Sequence, residues 1–329
     1  GAFDHNIKTS VWYALRSMTF VYLGFLLLPY YLINSKKVVN KIFNILIGVG
    51  VLISVYALSS IFVGSGEWFR LIPYSFKGLA PLGYNHNAVA QPLTIILPIA
   101  VYLFLKNYQA KNDKFKYYTF SFVLIFFTAL LTLSRAAWLA IFVEAILVLC
   151  FFKSQVRDYL KNKNLQKYTV PFITVLFLVV GYMFVFTVFS TVVENSNTSR
   201  LQTTEMSLFY FSQKPWFGHG PGMYMPLLSQ NKIHLAEFGE PLDSHGFIQK
   251  ILVEDGILAL VLFFGFLVSI FKKLWPSEQK LNQDYLIVFL LAMAVGSVVL
   301  QLFDTLYFNA VMFFPLGVAL GASKVYYEE

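Results

Sequence analysis

The sequence predicts an all-α fold, a polytopic bundle of transmembrane helices, on three observations. Hydrophobic residues make up 57% of the 329-residue chain. Charged residues make up only 13%, against roughly 25% in a soluble protein, too few to cover a water-facing surface. The apolar residues also come in blocks close to the ~20 residues that one helix needs to cross a bilayer. A nucleotide-binding fold, a zinc-finger module and a soluble hydrolase are excluded as descriptions of the whole chain.

Taken in order, about nine spans fall near 11–33, 42–63, 88–105, 117–133, 138–152, 168–190, 246–271, 285–303 and 308–322. They form a single transmembrane domain over 1–329, with an extracytoplasmic loop at 191–245 that holds short helices. Pro29, Pro98, Pro171 and Pro315 lie inside spans, where neighbouring helices tolerate a kink. The linkers 34–41, 106–116, 153–167 and 272–280, with Lys324, hold 16 of the 25 basic residues. The positive-inside rule then places the N-terminus outside and the C-terminus inside, and all nine spans alternate without conflict. The net charge of +8 therefore sets orientation, and no nucleic-acid partner is expected. The chain starts at Gly1 without a cleavable leader pattern, which leads us to expect that a natural N-terminus was lost or trimmed.

Two outer segments are sizeable, 64–87 and 191–245. Trp68, Tyr74, Tyr84, Trp216 and Tyr224 fit an interfacial aromatic belt. Cys150 lies in an apolar block and reads as a small filler; as the single cysteine it has no intrachain partner. No phosphate-cradling G-x-x-x-x-G-K-[ST] loop occurs, and no His, Cys or Asp spacing suits a metal. No cofactor is expected, and any chemistry must rest on isolated His, Arg and carboxylate groups.

Arg135 stands in the outer turn Leu133-Ser134-Arg135-Ala136-Ala137-Trp138. Either it anchors the chain by snorkelling, or its desolvated fork binds a diphosphate through paired hydrogen bonds. Ser199-Arg200-Leu201-Gln202 resembles a capping box and predicts a short amphipathic helix with Arg200 in its first turn. A cation there opposes the helix dipole by about 0.3–1 kcal/mol unless an anion occupies the site. The stretch Pro215-Trp216-Phe217-Gly218-His219-Gly220-Pro221-Gly222 is either an amide nest for phosphate oxygens or a tight turn re-entering the membrane. His245 closes the long loop where a span begins, as a polar cap or as a base near neutral pH. His86 at the start of a span is accounted for by polar capping. Glu144, Glu254, Asp255 and Asp304 fall in or at spans, where carboxylates usually face a protein interior. Their partners, Arg side chains or backbone groups, are left open.

Together these stretches resemble the O-antigen ligase and O-antigen polymerase family of bacterial membrane glycosyltransferases. The likeness is carried by Thr132-Leu133-Ser134-Arg135-Ala136-Ala137-Trp138-Leu139, by Arg200 through the Gly220-Pro221-Gly222 turn, by His245 with Glu254 and Gly256, and more weakly by Asn87-Ala88-Val89-Ala90. Gly246 departs from the Asn, Ser or Gln that usually follows the His. The family usually has about a dozen spans, so the resemblance implies that N-terminal helices are missing here. It also implies an undecaprenyl-diphosphate-linked glycan as donor, and a glycan or lipid-core sugar as acceptor. The setting would be a multi-pass protein of the bacterial inner membrane with its site on the periplasmic face. Arg135, Arg200 and His245 would be catalytic, and Arg135, Arg200, His219, Gly220 and Gly222 would bind substrate, with no metal required. Protein O-oligosaccharyltransferase and lipid-linked sugar flippase are the alternatives. A flippase expects charges spread along a path at mid-membrane depth, whereas the basic candidates here gather at the outer end.

Overall fold

The computed structural model describes residues 2–63, 71, 73–75, 79–83, 85–152, 181, 191–230, 243–244, 246–304 and 309–327. Among these residues the fold is helical and no strand occurs. The helices are α1 (Ala2–Tyr13), α2 (Leu28–Leu32), α3 (Lys36–Val63), α4 (His86–Gln109), α5 (Lys114–Leu131), α6 (Arg135–Phe151) and α7 (Thr191–Gln213). They continue as α8 (Tyr224–Ser229), α9 (Phe247–Glu254), α10 (Gly256–Leu274), α11 (Glu278–Gln283), α12 (Leu286–Gln301) and α13 (Ala310–Tyr327). Among the described residues α3, α4, α5, α10 and α13 are long and apolar enough to cross a membrane. The span expected at 168–190 lies outside the described residues apart from Gly181, as do Trp68, Tyr84 and Pro171.

The chain divides into two compact units. One comprises 35–194 and 276–297 and is built on α3, α4, α5 and α6. Along α3 the buried residues Val39, Phe43, Ile47, Gly50, Ser54 and Ala57 recur at helical spacing, while Ile45, Leu52 and Phe62 stay exposed. That stripe is the signature of one face packed on protein and the other left to an apolar solvent. A side chain at Gly50 would overlap Ile125, so α3 and α5 approach closely. Asn85 caps α4 by accepting from the Asn87 N–H at 3.0 Å, and His86 is only the first helical residue. Cys150 is exposed on α6 and does not fill the core.

The other unit comprises 1–34, 195–275 and 298–329. Its first segment is helical from Ala2 to Leu32 with two π-helical turns, Ala14–Thr19 and Tyr22–Leu27, where the sequence suggests one regular span. That segment rides over α13, where a Cβ at Gly317 would lie 2.6 Å from the Leu26 carbonyl oxygen. Gly321, one turn on, meets Ile33 and Pro29 in the same way. This small-x-x-x-small pattern lets two backbones meet without the hydrophobic drive that works in water.

The span expected at 246–271 is two helices. α9 ends at Glu254, and α10 starts at Gly256 with φ +77°, a left-handed backbone that L side chains avoid. Only α10 has the length and hydropathy of a span, so α9 is a separate helix ahead of it.

Candidate active site

In the first unit Arg135 is the first residue of α6, after a turn of three residues from α5. Ser134 caps the helix by accepting from the Ala137 N–H at 3.4 Å. Its own hydroxyl donates to Asn87 Oδ1 at 2.7 Å, so two of the stretches that carry the family likeness meet at two helix N-termini. The preceding residue, Leu133, has φ +53°, a conformation that costs a branched side chain roughly 1–3 kcal/mol. Packing holds it there: Leu133 is buried with Leu130 and Trp138, and the Trp138 indole N–H donates to the Leu130 carbonyl at 3.2 Å. Arg135 is thus a half-buried cation at a helix N-terminus, where the dipole is itself positive and also attracts anions.

Arg200 lies in the second unit, and the capping-box expectation does not hold. α7 is already helical at Thr191, so Ser199 and Arg200 are interior residues and the dipole argument belongs to Arg135 instead. Arg200 is half-buried, and its carbonyl accepts from the hydroxyls of Thr203 at 3.0 Å and Thr204 at 2.7 Å. Thr203 and Ser207 on this face of α7 are buried. The Ser207 hydroxyl pairs with the Tyr224 hydroxyl at 2.8 Å. Tyr224 is therefore no belt residue: it is 1% exposed and packs with Leu228 and Val253. Burial pushes its phenol up to about 12, against the pull of the Ser207 hydrogen bond and aided by the nearby Asp243 and Glu254 carboxylates.

The Gly-rich stretch closes onto the α9–α10 break main chain to main chain. The N–H of His219 donates to the Val253 carbonyl at 2.9 Å, that of Gly220 to the Glu254 carbonyl at 2.7 Å, and that of Ile257 to the Pro215 carbonyl at 2.9 Å. A Cβ at Gly218 would overlap the Glu254 carbonyl oxygen, and one at Gly256 that of Trp216. Both are glycines because backbone approaches backbone. The Glu254 carboxylate accepts from the Tyr224 N–H at 3.1 Å and from the Gly222 N–H. The N–H groups of His219, Gly220 and Gly222 are thus engaged with Val253 and Glu254, and the turn acts as a clasp. Backbone groups are thus among the partners of Glu254. The His219 Nε2 sits 2.9 Å from the Tyr210 carbonyl, an acceptor only, so this nitrogen carries the proton.

An ion pair between a buried lysine and a half-buried aspartate completes the cluster. Lys250 Nζ lies 2.9 Å from both carboxylate oxygens of Asp243, with the lysine side chain 4% exposed, and its charge stands 5.9 Å from the centre of the Tyr224 ring. His245 itself lies outside the described residues. Gly246 beside it is extended, and a Cβ there would meet the Leu302 carbonyl oxygen at 2.9 Å, a steric reason for the departure from the family pattern. Sequence reasoning missed Tyr224, Lys250 and Asp243; the i, i+4 spacing of Lys250 and Glu254 was the available clue. Glu144, in the first unit, is buried against the backbone of α12 at Gly296. Among the described residues no three His, Cys, Asp or Glu side chains are grouped to hold a metal ion.

Residues 120–264 match the family model described as O-antigen ligase. The match supports that family for the chain, and the matched segment contains Arg135, Arg200, His219 and His245. No curated protein matches the chain. With five helices of membrane-crossing length and hydropathy among the described residues, the match supports a multi-pass membrane protein with a glycosyltransferase-like function in O-antigen or polysaccharide processing.

Proposed function

We propose that this protein transfers a glycan from an undecaprenyl-diphosphate carrier to an acceptor hydroxyl on the extracytoplasmic face of the inner membrane. The family match over 120–264 carries the reading, because it spans every residue to which the resemblance gives a catalytic or substrate-binding role. In the reaction the acceptor oxygen bonds to the anomeric carbon of the donor sugar, and the bond from that carbon to the diphosphate oxygen breaks. His245 takes the proton of the attacking hydroxyl. Arg135 and Arg200 are assigned to the diphosphate, where their planar forks offset the charge that grows on the leaving group. The position of Arg135 as the first residue of α6 supports its assignment, since the guanidinium and the positive end of the helix dipole attract an anion together.

The test is incubation of the purified protein with lipid-linked glycan and three acceptors, a lipid-core sugar, a second glycan repeat and a Ser/Thr peptide, followed by mass analysis. A covalent product identifies the acceptor, whereas release of intact lipid-linked glycan across a vesicle would establish a flippase instead. His245→Ala is expected to abolish product while leaving carrier bound, and full turnover by that variant would remove His245 from the mechanism.

A further inference from the structure

Two buried polar atoms beside the predicted base have no hydrogen-bond partner among the described residues, Oε1 of Gln249 and Oγ of Ser244. They flank His245 in the chain, Ser244 directly before it and Gln249 in the first turn of α9 after it. Ser244 is fully buried.

The orientation of the Gln249 amide follows from its neighbour. The Thr204 hydroxyl donates its hydrogen to the Arg200 carbonyl at 2.7 Å. Its oxygen is then left to accept, and the amide nitrogen of Gln249 donates to it at 2.6 Å. The amide nitrogen therefore faces α7, and the amide oxygen is the atom left without a donor. Buried polar groups are almost always paired, and an exception calls for a reason. This acceptor hangs from a residue tied to the turn of α7 that begins at Arg200, and it shares a chain segment with His245. A donor of matching chemistry is a sugar hydroxyl.

We propose that Gln249 and Ser244 are glycan-recognition residues, with the Gln249 amide oxygen accepting from a sugar hydroxyl and the Ser244 hydroxyl pairing with a second one. Thr204 acts as a positioning residue that fixes the direction of the amide. This deepens the transferase reading and rests on it, since it names the part of the substrate that the site reads besides the diphosphate. It also assigns a role to the side chain in the first turn of α9 that the reaction itself leaves unused.

The experiment compares binding of two lipids, an isoprenyl diphosphate bearing a sugar and the same isoprenyl diphosphate without one, to purified protein in nanodiscs. Gln249→Met, close in size but without the acceptor, is expected to weaken binding of the glycosylated lipid roughly five- to tenfold and to leave the bare lipid unchanged. Ser244→Ala is expected to act in the same direction, and Thr204→Val to reproduce part of the Gln249→Met loss. Thermal midpoints near wild type show that the variants fold. Unaltered selectivity in both Gln249→Met and Ser244→Ala, or equal loss for the two lipids, overturns the proposal, as does a wild type that binds both lipids alike. Transfer by the wild type is measured alongside. A selective loss in a protein that makes no product keeps the glycan site and removes the transferase reading. Product from a wild type whose variants keep full selectivity does the reverse.

Discussion

Glu254→Gln tests the clasp through its dependence on pH. Glu254 is fully buried at the end of α9. Burial pushes its carboxyl from the ordinary 4.5 up to about 7, against Lys250 and the N–H donors of Gly222 and Tyr224, with Asp255 adding to the rise. The folded protein therefore holds this proton more tightly than the unfolded chain does. The stability that the proton contributes is complete below about 4.5 and is lost as pH rises through about 7. That gap, at ~1.4 kcal/mol for each pH unit, comes to about 3 kcal/mol between pH 4 and pH 8. Glutamine keeps an oxygen to accept from the Tyr224 N–H but does not ionise, so it removes the penalty at high pH. Thermal unfolding in detergent across this range should show the variant gaining on wild type as pH rises, by roughly 5 °C at the upper end. A difference that stays flat with pH, or that turns against the variant above pH 7, would refute the burial argument.

Gly256→Ala forces a side chain into a left-handed backbone and against the Trp216 carbonyl, and a loss of about 2–4 kcal/mol is expected in the same unfolding assay. Asp243→Asn, which takes this partner from the buried Lys250, should cost about 3 kcal/mol, and Lys250→Met, which leaves a partly exposed carboxylate, should cost less. The double variant should cost less than the sum of the two, and strict additivity in a double-mutant cycle would deny the pairing. Arg135→Lys and Arg200→Lys should each lower transfer, since lysine lacks the planar fork; an unchanged rate and carrier affinity would demote that arginine to an anchor. Transfer is expected to persist in excess chelator, and loss restored by one divalent ion would contradict the metal-free scheme.

Much of the helical layout was legible because apolar length is a cumulative signal. The block at 42–63 became α3 at Lys36–Val63, and that at 88–105 became α4 at His86–Gln109, each extended through polar flanking residues. The break at Asp255–Gly256 was hidden for the same reason, since a continuous apolar block reads as one helix whether or not a single residue turns left-handed. Arg200 was misplaced because Ser199 and Gln202 have capping-box spacing by chance inside a longer helix. Tyr224 looked like a membrane-surface residue until tertiary packing brought Ser207 to its hydroxyl. The contact between Asn87 and Ser134 joins residues 47 positions apart, a distance at which no local pattern speaks.

The closure of Pro215–Gly220 on Val253–Ile257 is written almost wholly in peptide groups, which every amino acid shares. Trp216 and Phe217, at 63% and 78% exposure, point away from that seam and contribute nothing to closing it. Evolution can therefore exchange these two rings at little cost to the loop's anchorage, as long as the glycines stay.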